Sequence, residues 1–424
     1  MSAGTAPSPP APLADRRFLG LFTAQFLGAA HDNLLKAAVV VLVSFDDDPA
    51  AGAALATLAA GLLMLPFLLF SPLAGELADR YGKPRLVRLT KAGEMVLALF
   101  ALALLPAREA GALLALVFLM GMQSTFFGPL KYGLPPAWYD GDRLVLANGL
   151  LQGSTFIAIL LGTFAGGVLV ATAGPRVVAG AGLVVAILGF LASLLLPEEP
   201  PAAPDAPLHA NPLPAHRALF AWLAGEPVLA RTVLALSGFW ALGAIYLGQV
   251  PAHARTAMGA TAEEAGWLLG AFVVGIVLGG LAAAPLRRGR LGPRLPVLAM
   301  LLVGLAGLDL ALLPGAVRGP GQALFADPAG WRLALDVTAV AFGGGLFAVP
   351  LLTTLQRTAP ATHRGRAIAA NNVVNALAVV VASGLAAAAP PAGVPVAGVL
   401  LVCALSALLL ALWVGRSRLP VTAP

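Results

Sequence analysis

Charge is scarce in this sequence. Asp, Glu, Lys and Arg make up 11% of its 424 residues, against about 25% in an average soluble domain. A chain of this size cannot stay in water with so little polar surface, so a soluble globular fold is excluded. Cysteine is scarcer still. Cys403 stands alone inside an apolar segment, which removes any intrachain disulfide and any thiol pair for redox chemistry. The first 15 residues, MSAGTAPSPPAPLAD, lack the basic, apolar and small-residue order of a cleaved signal peptide. The first helix is therefore expected to be retained as its own insertion signal. No G-x4-G-K-[ST] phosphate loop is present, which argues against ATP drive. The short alternating runs of barrel strands are missing as well.

What abounds is apolar length. The chain is 59% hydrophobic with a mean hydropathy of +0.88, and stretches of about 20 apolar residues recur from end to end, the mark of an all-α polytopic membrane protein. Window hydropathy predicts twelve spans, at 18–43, 52–77, 85–106, 111–137, 144–172, 176–197, 228–251, 263–286, 294–314, 331–357, 366–389 and 393–415. The longest break, 198–227, is rich in Pro, Ala and charge and reads as a loop joining two halves. The expected organisation is a tail over 1–17, a six-helix bundle over 18–197, the loop, a second bundle over 228–415 and a tail over 416–424.

Nineteen of the 26 Lys and Arg residues, Lys91 among them, fall in the even-numbered loops and the termini, and five fall on the opposite side; Lys36 and Lys131 lie within spans. Positive charge stays in the cytoplasm, so both termini are expected there. The net charge of +6 flanks the spans and does not point to nucleic acid. The two halves also resemble each other. FFGPLKYGLPP in span 4 answers FAVPLLTTLQRTAP in span 10, and LANGLLQGS in span 5 answers IAANNVVNA in span 11. Pro129 to Pro350 is 221 residues and Asn148 to Asn371 is 223. An offset near half the chain favours duplication over chance likeness among apolar helices, and two-bundle transporters hold substrate at the midplane.

Between spans 2 and 3 the chain reads GELADRYGKPRLVRL. Gly75 lets helices approach, Asp79 and Arg80 stand near a helix end, Gly82 turns the chain, and Arg85 adds to a basic cytoplasmic loop. The corresponding loop after span 8, PLRRGRLGPRL, keeps the glycine and arginines but not the aspartate.

Within span 1, FLGAAHDNLLK places His31, Asp32, Asn33 and Lys36 where a membrane helix is deepest. Asp32 and Lys36 are four apart, on one face, with the acid N-terminal as helical pairs prefer. They form either a private salt bridge or a functional site; a buried charge is costly and faces a cavity or a bundle interior. His31 projects about 100° from Asp32 and is either an interior histidine or a site residue. Lys131 follows the kinking pair Gly128-Pro129. It either snorkels to the headgroups or joins Asp32 and Lys36 in a set suited to a zwitterionic, phosphate-bearing substrate. In 149–167, Gly149/Gly153 and Gly162/Gly166 read as close-packing faces, and Gln152, Ser154 and Thr155 as residues that could line a cavity.

These segments, together with QSTFFGPLKYGLPP, GFWALGAIYLGQVPAHA and RAIAANNVVNAL, resemble the bacterial lysophospholipid transporter family, nearest to the transporter half of chains fused to an acyltransferase. The likeness runs over about 18–415. It implies the major facilitator fold, twelve transmembrane helices in two six-helix bundles, in a bacterial inner membrane. It also implies movement of lysophospholipids, chiefly lysophosphatidylethanolamine, to the cytoplasmic leaflet, where an acyltransferase restores the missing chain. By motif Asp32, Asn33 and Lys131 carry over as headgroup contacts; Lys36 matches the fused members, and Asn148 and Gln152 complete the candidate set. Gly75, Asp79, Arg80, Gly82 and Arg85 match the superfamily's loop signature. The family's single-domain members have a glutamate in place of Gln152 and an arginine in the span-7 motif, where this chain reads Ala244-Ile245-Tyr246-Leu247. None of the five histidines starts an H-x4-D acyltransferase signature, so a separate acyltransferase is the expected partner. No cofactor, metal or catalytic group is expected. The rival transport reading is a proton-coupled drug or metabolite exporter with Asp32 as proton carrier, although span 5 lacks the Gly-Pro signature expected of such antiporters. A membrane-embedded lipid enzyme ranks third, because the histidines at 31, 209, 216, 253 and 363 are scattered.

Overall fold

A computed structural model describes residues 10–44, 49–287, 292–313, 323–417 and 419–420. The described residues form fourteen α-helices: α1 (Arg16–Ser44), α2 (Pro49–Arg80), α3 (Lys83–Ala107), α4 (Ala110–Gly133), α5 (Pro135–Trp138), α6 (Gly141–Thr172), α7 (Pro175–Ser193), α8 (Pro212–Ala224), α9 (Pro227–Met258), α10 (Ala262–Arg287), α11 (Leu295–Leu312), α12 (Pro328–Thr358), α13 (Arg364–Ala388) and α14 (Val396–Ser417). Twelve of them, all but α5 and α8, contain a stretch long and apolar enough to cross a membrane. At about 1.5 Å per residue, even the 18 residues of α11 reach most of a hydrocarbon core of about 30 Å.

Each half closes on itself. In the first, α1 lies on α6 and α7, α2 on α4, and α3 on α4 and α7; in the second, α10 and α11 lie on α12, α14 on α11, and α9 on α13. The halves meet chiefly along two pairs, α2 with α13 and α6 with α10. Small residues make these approaches possible. Gly162 and Gly166 of α6 sit against the Ala30 and Leu34 carbonyls of α1, and Gly149 sits against Gly280 of α10, where a Cβ would stand 2.5 Å from the carbonyl oxygen. The paired glycines are packing faces, as their four-residue spacing predicts. Pro129 and Pro350 both lie inside helices, α4 and α12.

Three expectations need correction. The break at 198–227 is not loop throughout, since α8 occupies Pro212–Ala224. Asn211 caps it by accepting from the Leu213 N–H at 3.0 Å, Pro212 starts it, and Ala215, Leu219 and Leu223, four apart, bury one face. His216 Nε2 bonds at 2.6 Å to the Leu68 carbonyl, which Pro72, lacking an N–H, leaves without its helical partner. Second, Gly75, Asp79 and Arg80 do not lie in a loop: α2 runs through Arg80 and α3 begins at Lys83, leaving two residues to turn the chain. Third, Lys91 does not flank a span. It is two turns inside α3 and 1% exposed. In the loop after span 8, residues 288–291 lie outside the described residues, as do 1–9, 418 and 421–424 of the expected tails.

Candidate substrate cavity between the bundles

One end of the molecule is shut where the halves meet. Asp79, at the end of α2, reaches across to the start of α13. Its Oδ1 accepts from the Gly365 N–H at 2.7 Å and its Oδ2 from the Arg366 N–H at 3.1 Å, so a carboxylate of one bundle caps a helix of the other. Gly75 makes the crossing possible, since a Cβ there would meet the Gly365 carbonyl oxygen at 2.8 Å. Beside it Asn148 donates to Thr353 at 2.9 Å and to Gln356 at 2.6 Å, and Gln356 donates to the Tyr132 carbonyl at 2.8 Å. Arg287 pairs with Asp142 at 3.2 Å. The linker tightens the same end: Arg80 donates to the Ala206 carbonyl at 3.0 Å, and His209 holds Glu76 through both its backbone N–H and Nδ1 at 2.7 Å.

Beyond this closure lies a cavity of about 370 Å³ lined by α1, α2, α3, α4, α6, α9 and α13. Its polar side belongs to the first bundle. Asp32 bonds His31 Nδ1 at 3.1 Å and accepts a short hydrogen bond from the Ser124 hydroxyl on α4. Asn33 donates to the Ala29 carbonyl at 2.8 Å, and its oxygen accepts from Lys36 Nζ at 2.7 Å. Lys36 thus turns to Asn33 and makes no ion pair with Asp32, which sets aside the private salt bridge. Lys131 lines the cavity with Nζ 4.9 Å from the centre of the Tyr132 ring; among the described residues no carboxylate pairs with it. The second bundle adds Trp240, Asn372 and Asn375, all uncharged, and apolar wall comes from Leu63, Met64 and Phe67 of α2 and Ala376 and Val379 of α13.

The candidate residues therefore divide. Asp32, Asn33, Lys36 and Lys131 come together in the cavity. Asn148 lies in the closure, and Gln152, 3% exposed, accepts from the Tyr132 hydroxyl at 3.2 Å behind the cavity wall. Thr155 reaches the cavity and holds Gln25 at 3.0 Å. Asp79 and Gly75 act at the closure, Arg80 on the linker, and Gly82 in the turn before α3; Arg85, in the first turn of α3, touches neither.

Sequence reasoning missed Lys91 and Glu94. Both line the cavity from α3, Lys91 Nζ bonds Glu94 Oε2 at 2.7 Å, and each is 1% exposed. The signal they carried was LTKAGEMVL, an acid and a base three apart in an apolar run, but it ran straight on from the basic flank of Arg85 and Arg88. One donor atom from each of His31, Asp32 and Glu94 lies within 4.8 Å of the others, the one such trio among the described residues. A second groove, of about 420 Å³ between α2, α3 and α4, is almost wholly apolar, its polar lining limited to Thr90, whose hydroxyl donates to the Val87 carbonyl, and Gln123.

The model of the Major Facilitator Superfamily matches residues 21–383. The chain is 30% identical to the lysophospholipid transporter LplT of Enterobacter sp. (strain 638) over 408 residues, covering 91% of this chain and 92% of the relative. It is likewise 30% identical to the LplT of Klebsiella pneumoniae (strain 342) over 401 residues, covering 90% and 91%. Among solved structures, the human organic anion transporter MFSD10 (TETRAN) superposes with a TM-score of 0.76 at 15% identity, covering 96% of this chain and all of that one. The transporter FucP in its outward conformation superposes with a TM-score of 0.71 at 12% identity, covering 94% and 98%.

Proposed function

Since the chain belongs to the major facilitator superfamily, and within it to the lysophospholipid transporter family, it is a multi-pass membrane transporter and not an enzyme, and we propose that it moves lysophospholipids such as lysophosphatidylethanolamine to the cytoplasmic leaflet. The observation that carries this reading is the chemistry of the cavity. Charges of both signs, Asp32 with Lys36 and Lys131, stand on one side, and apolar residues of α2 and α13 stand where the two bundles face each other. A zwitterionic headgroup finds an anion and cations there, each contact strengthened by the low dielectric. The single tail needs no polar site and trails along the seam between α2 and α13.

In this reading the bundles over 18–197 and 228–415 rock about the cavity, with both termini and the 198–227 linker in the cytoplasm of a bacterial inner membrane. The closure built on Gly75, Asp79, Asn148 and Gln356 is then the cytoplasmic gate, shut in this conformation, and the cavity awaits lipid from the outer leaflet. Reacylation by a separate acyltransferase follows delivery. The test is reconstitution into liposomes carrying a labelled lysophospholipid in one leaflet. Transfer to the other leaflet faster than in protein-free liposomes is expected, and equal rates would refute the proposal.

A further inference from the structure

The headgroup scheme uses the charges of the first bundle and leaves idle two polar residues of the second. Asn372 and Asn375 of α13 both line the cavity. They are three apart and so share one helical face, with about 5–6 Å between Cβ atoms. Ser237 of α9, itself 3% exposed, donates to Asn375 Oδ1 at 2.7 Å. That bond fixes the amide, and among the described residues no acceptor takes its Nδ2 hydrogens. Asn372 turns the other way. Its Nδ2 is buried without a partner, packed where a Cβ on Gly128 of α4 would stand 2.8 Å from it. Its Oδ1 is then the polar atom left for the cavity. This wall therefore offers one acceptor and one amide donor side by side. Gly128 and Lys131 are three apart on α4, so Asn372 stands about one helical turn from the lysine. Further along α13 the same stripe continues as Ala376 and Val379, both apolar and both in the cavity wall.

We propose that Asn372 and Asn375 form a subsite for the free glycerol hydroxyl of a lysophospholipid, the group that a diacyl lipid carries acylated; this rests on the lysophospholipid reading above. A hydroxyl both donates and accepts, so it satisfies Asn372 Oδ1 and an Asn375 N–H at once. A phosphate oxygen, an ester or an ether only accepts, and leaves the Asn372 oxygen unpaired. The order of groups along the lipid agrees. Its hydroxyl carbon lies between the carbon that bears the phosphate and the carbon that bears the acyl ester, as the amide pair lies between Lys131 and the apolar stripe of α13. A second acyl chain is thereby refused by chemistry as well as by width. A site built to hydrogen-bond a hydroxyl discriminates against the analogue that lacks it, because its own polar groups are then left unpaired.

The test follows movement in proteoliposomes of lysophosphatidylethanolamine and two single-tailed analogues with the same headgroup, one lacking the glycerol hydroxyl and one carrying it as a methyl ether. For the unaltered protein, both analogues should move roughly tenfold more slowly than the parent at low lipid concentration. Asn372→Ala should slow the parent and bring its rate relative to the deoxy analogue toward unity. A purely structural role for Asn372 would lower all three rates alike and keep their ratios. If that variant fails to fold, the analogue series on the unaltered protein decides alone. Equal rates for the three lipids, or unchanged ratios in folded Asn372→Ala, would overturn the hydroxyl subsite and leave the lysophospholipid reading standing. An unaltered protein that moves none of these lipids overturns that reading and the subsite with it.

Discussion

Asp32 is oriented by His31 on its own helix and by Ser124 on α4, yet it still faces the cavity. Asparagine has the same shape and can keep one of those bonds, so Asp32→Asn should fold and lose function. Removing one charge-assisted contact costs about 1.5–3 kcal/mol, or roughly tenfold or more in transport at low lipid concentration. Normal rates in the variant, at unchanged thermal stability, would make Asp32 a bystander. Among the described residues no carboxylate pairs with Lys131, so its ammonium is available to a phosphate. Lys131→Ala should weaken lysophospholipid binding by roughly tenfold, while Lys131→Arg should keep part of the affinity because the charge survives; binding isotherms in detergent read both. Asp32 was legible because a carboxylate in an apolar run has few explanations. Lys91 carried the same signal but followed Arg85 and Arg88 so closely that it merged with the basic flank. Only the start of α3 at Lys83, and hence the depth of Lys91, separates the two. Asn148 and Gln152 share a helix with Thr155, but which face of α6 meets the cavity depends on its packing against α1 and α10, which local spacing does not encode.

Helix ends carry the gate. Asp79 joins the end of α2 to the start of α13, and capping interactions are worth about 1 kcal/mol, enough to shift a two-state balance roughly fivefold. Spin labels on the exposed positions Tyr81 and Thr362 would sit on opposite bundles at this end. Asp79→Asn should add a longer-distance population to a single short one, and an identical distance distribution would show that the cap does not hold the gate. The loop signature named the residues of this device, but not its partner, because Gly365 and Arg366 are 286 and 287 residues away. The helix α8 was hidden for another reason. Its stretch is Pro- and Ala-rich, and the stripe of Ala215, Leu219 and Leu223 is too short and too weakly apolar to outweigh Pro212 and Pro214 in a hydropathy window.

At the scale of the whole molecule, twelve spans and their order were legible because each must bury its own backbone hydrogen bonds and cover about 30 Å of hydrocarbon. The contacts between halves were not, since glycine pairs show where helices approach but not which neighbour they meet. Orientation rests on the distribution of basic residues. Cysteines placed in 198–227 and 287–293 should be shielded from impermeant thiol reagents in intact cells, and labelling of either from outside would invert the topology and turn the described closure into the outer gate. The account's central claim is that few, buried charges of both signs read one headgroup while a single tail lies along the bundle seam. The most direct measurement is competition against a labelled lysophospholipid in proteoliposomes. Lysophosphatidylethanolamine should compete well, and diacyl phospholipids and unrelated hydrophobic cations poorly, because a second chain needs a wider opening and a bare cation leaves Lys131 without its phosphate. If diacyl lipids or hydrophobic cations compete as well as lysophosphatidylethanolamine does, the headgroup-and-one-tail account is wrong and an exporter of hydrophobic cations becomes the better reading of Asp32.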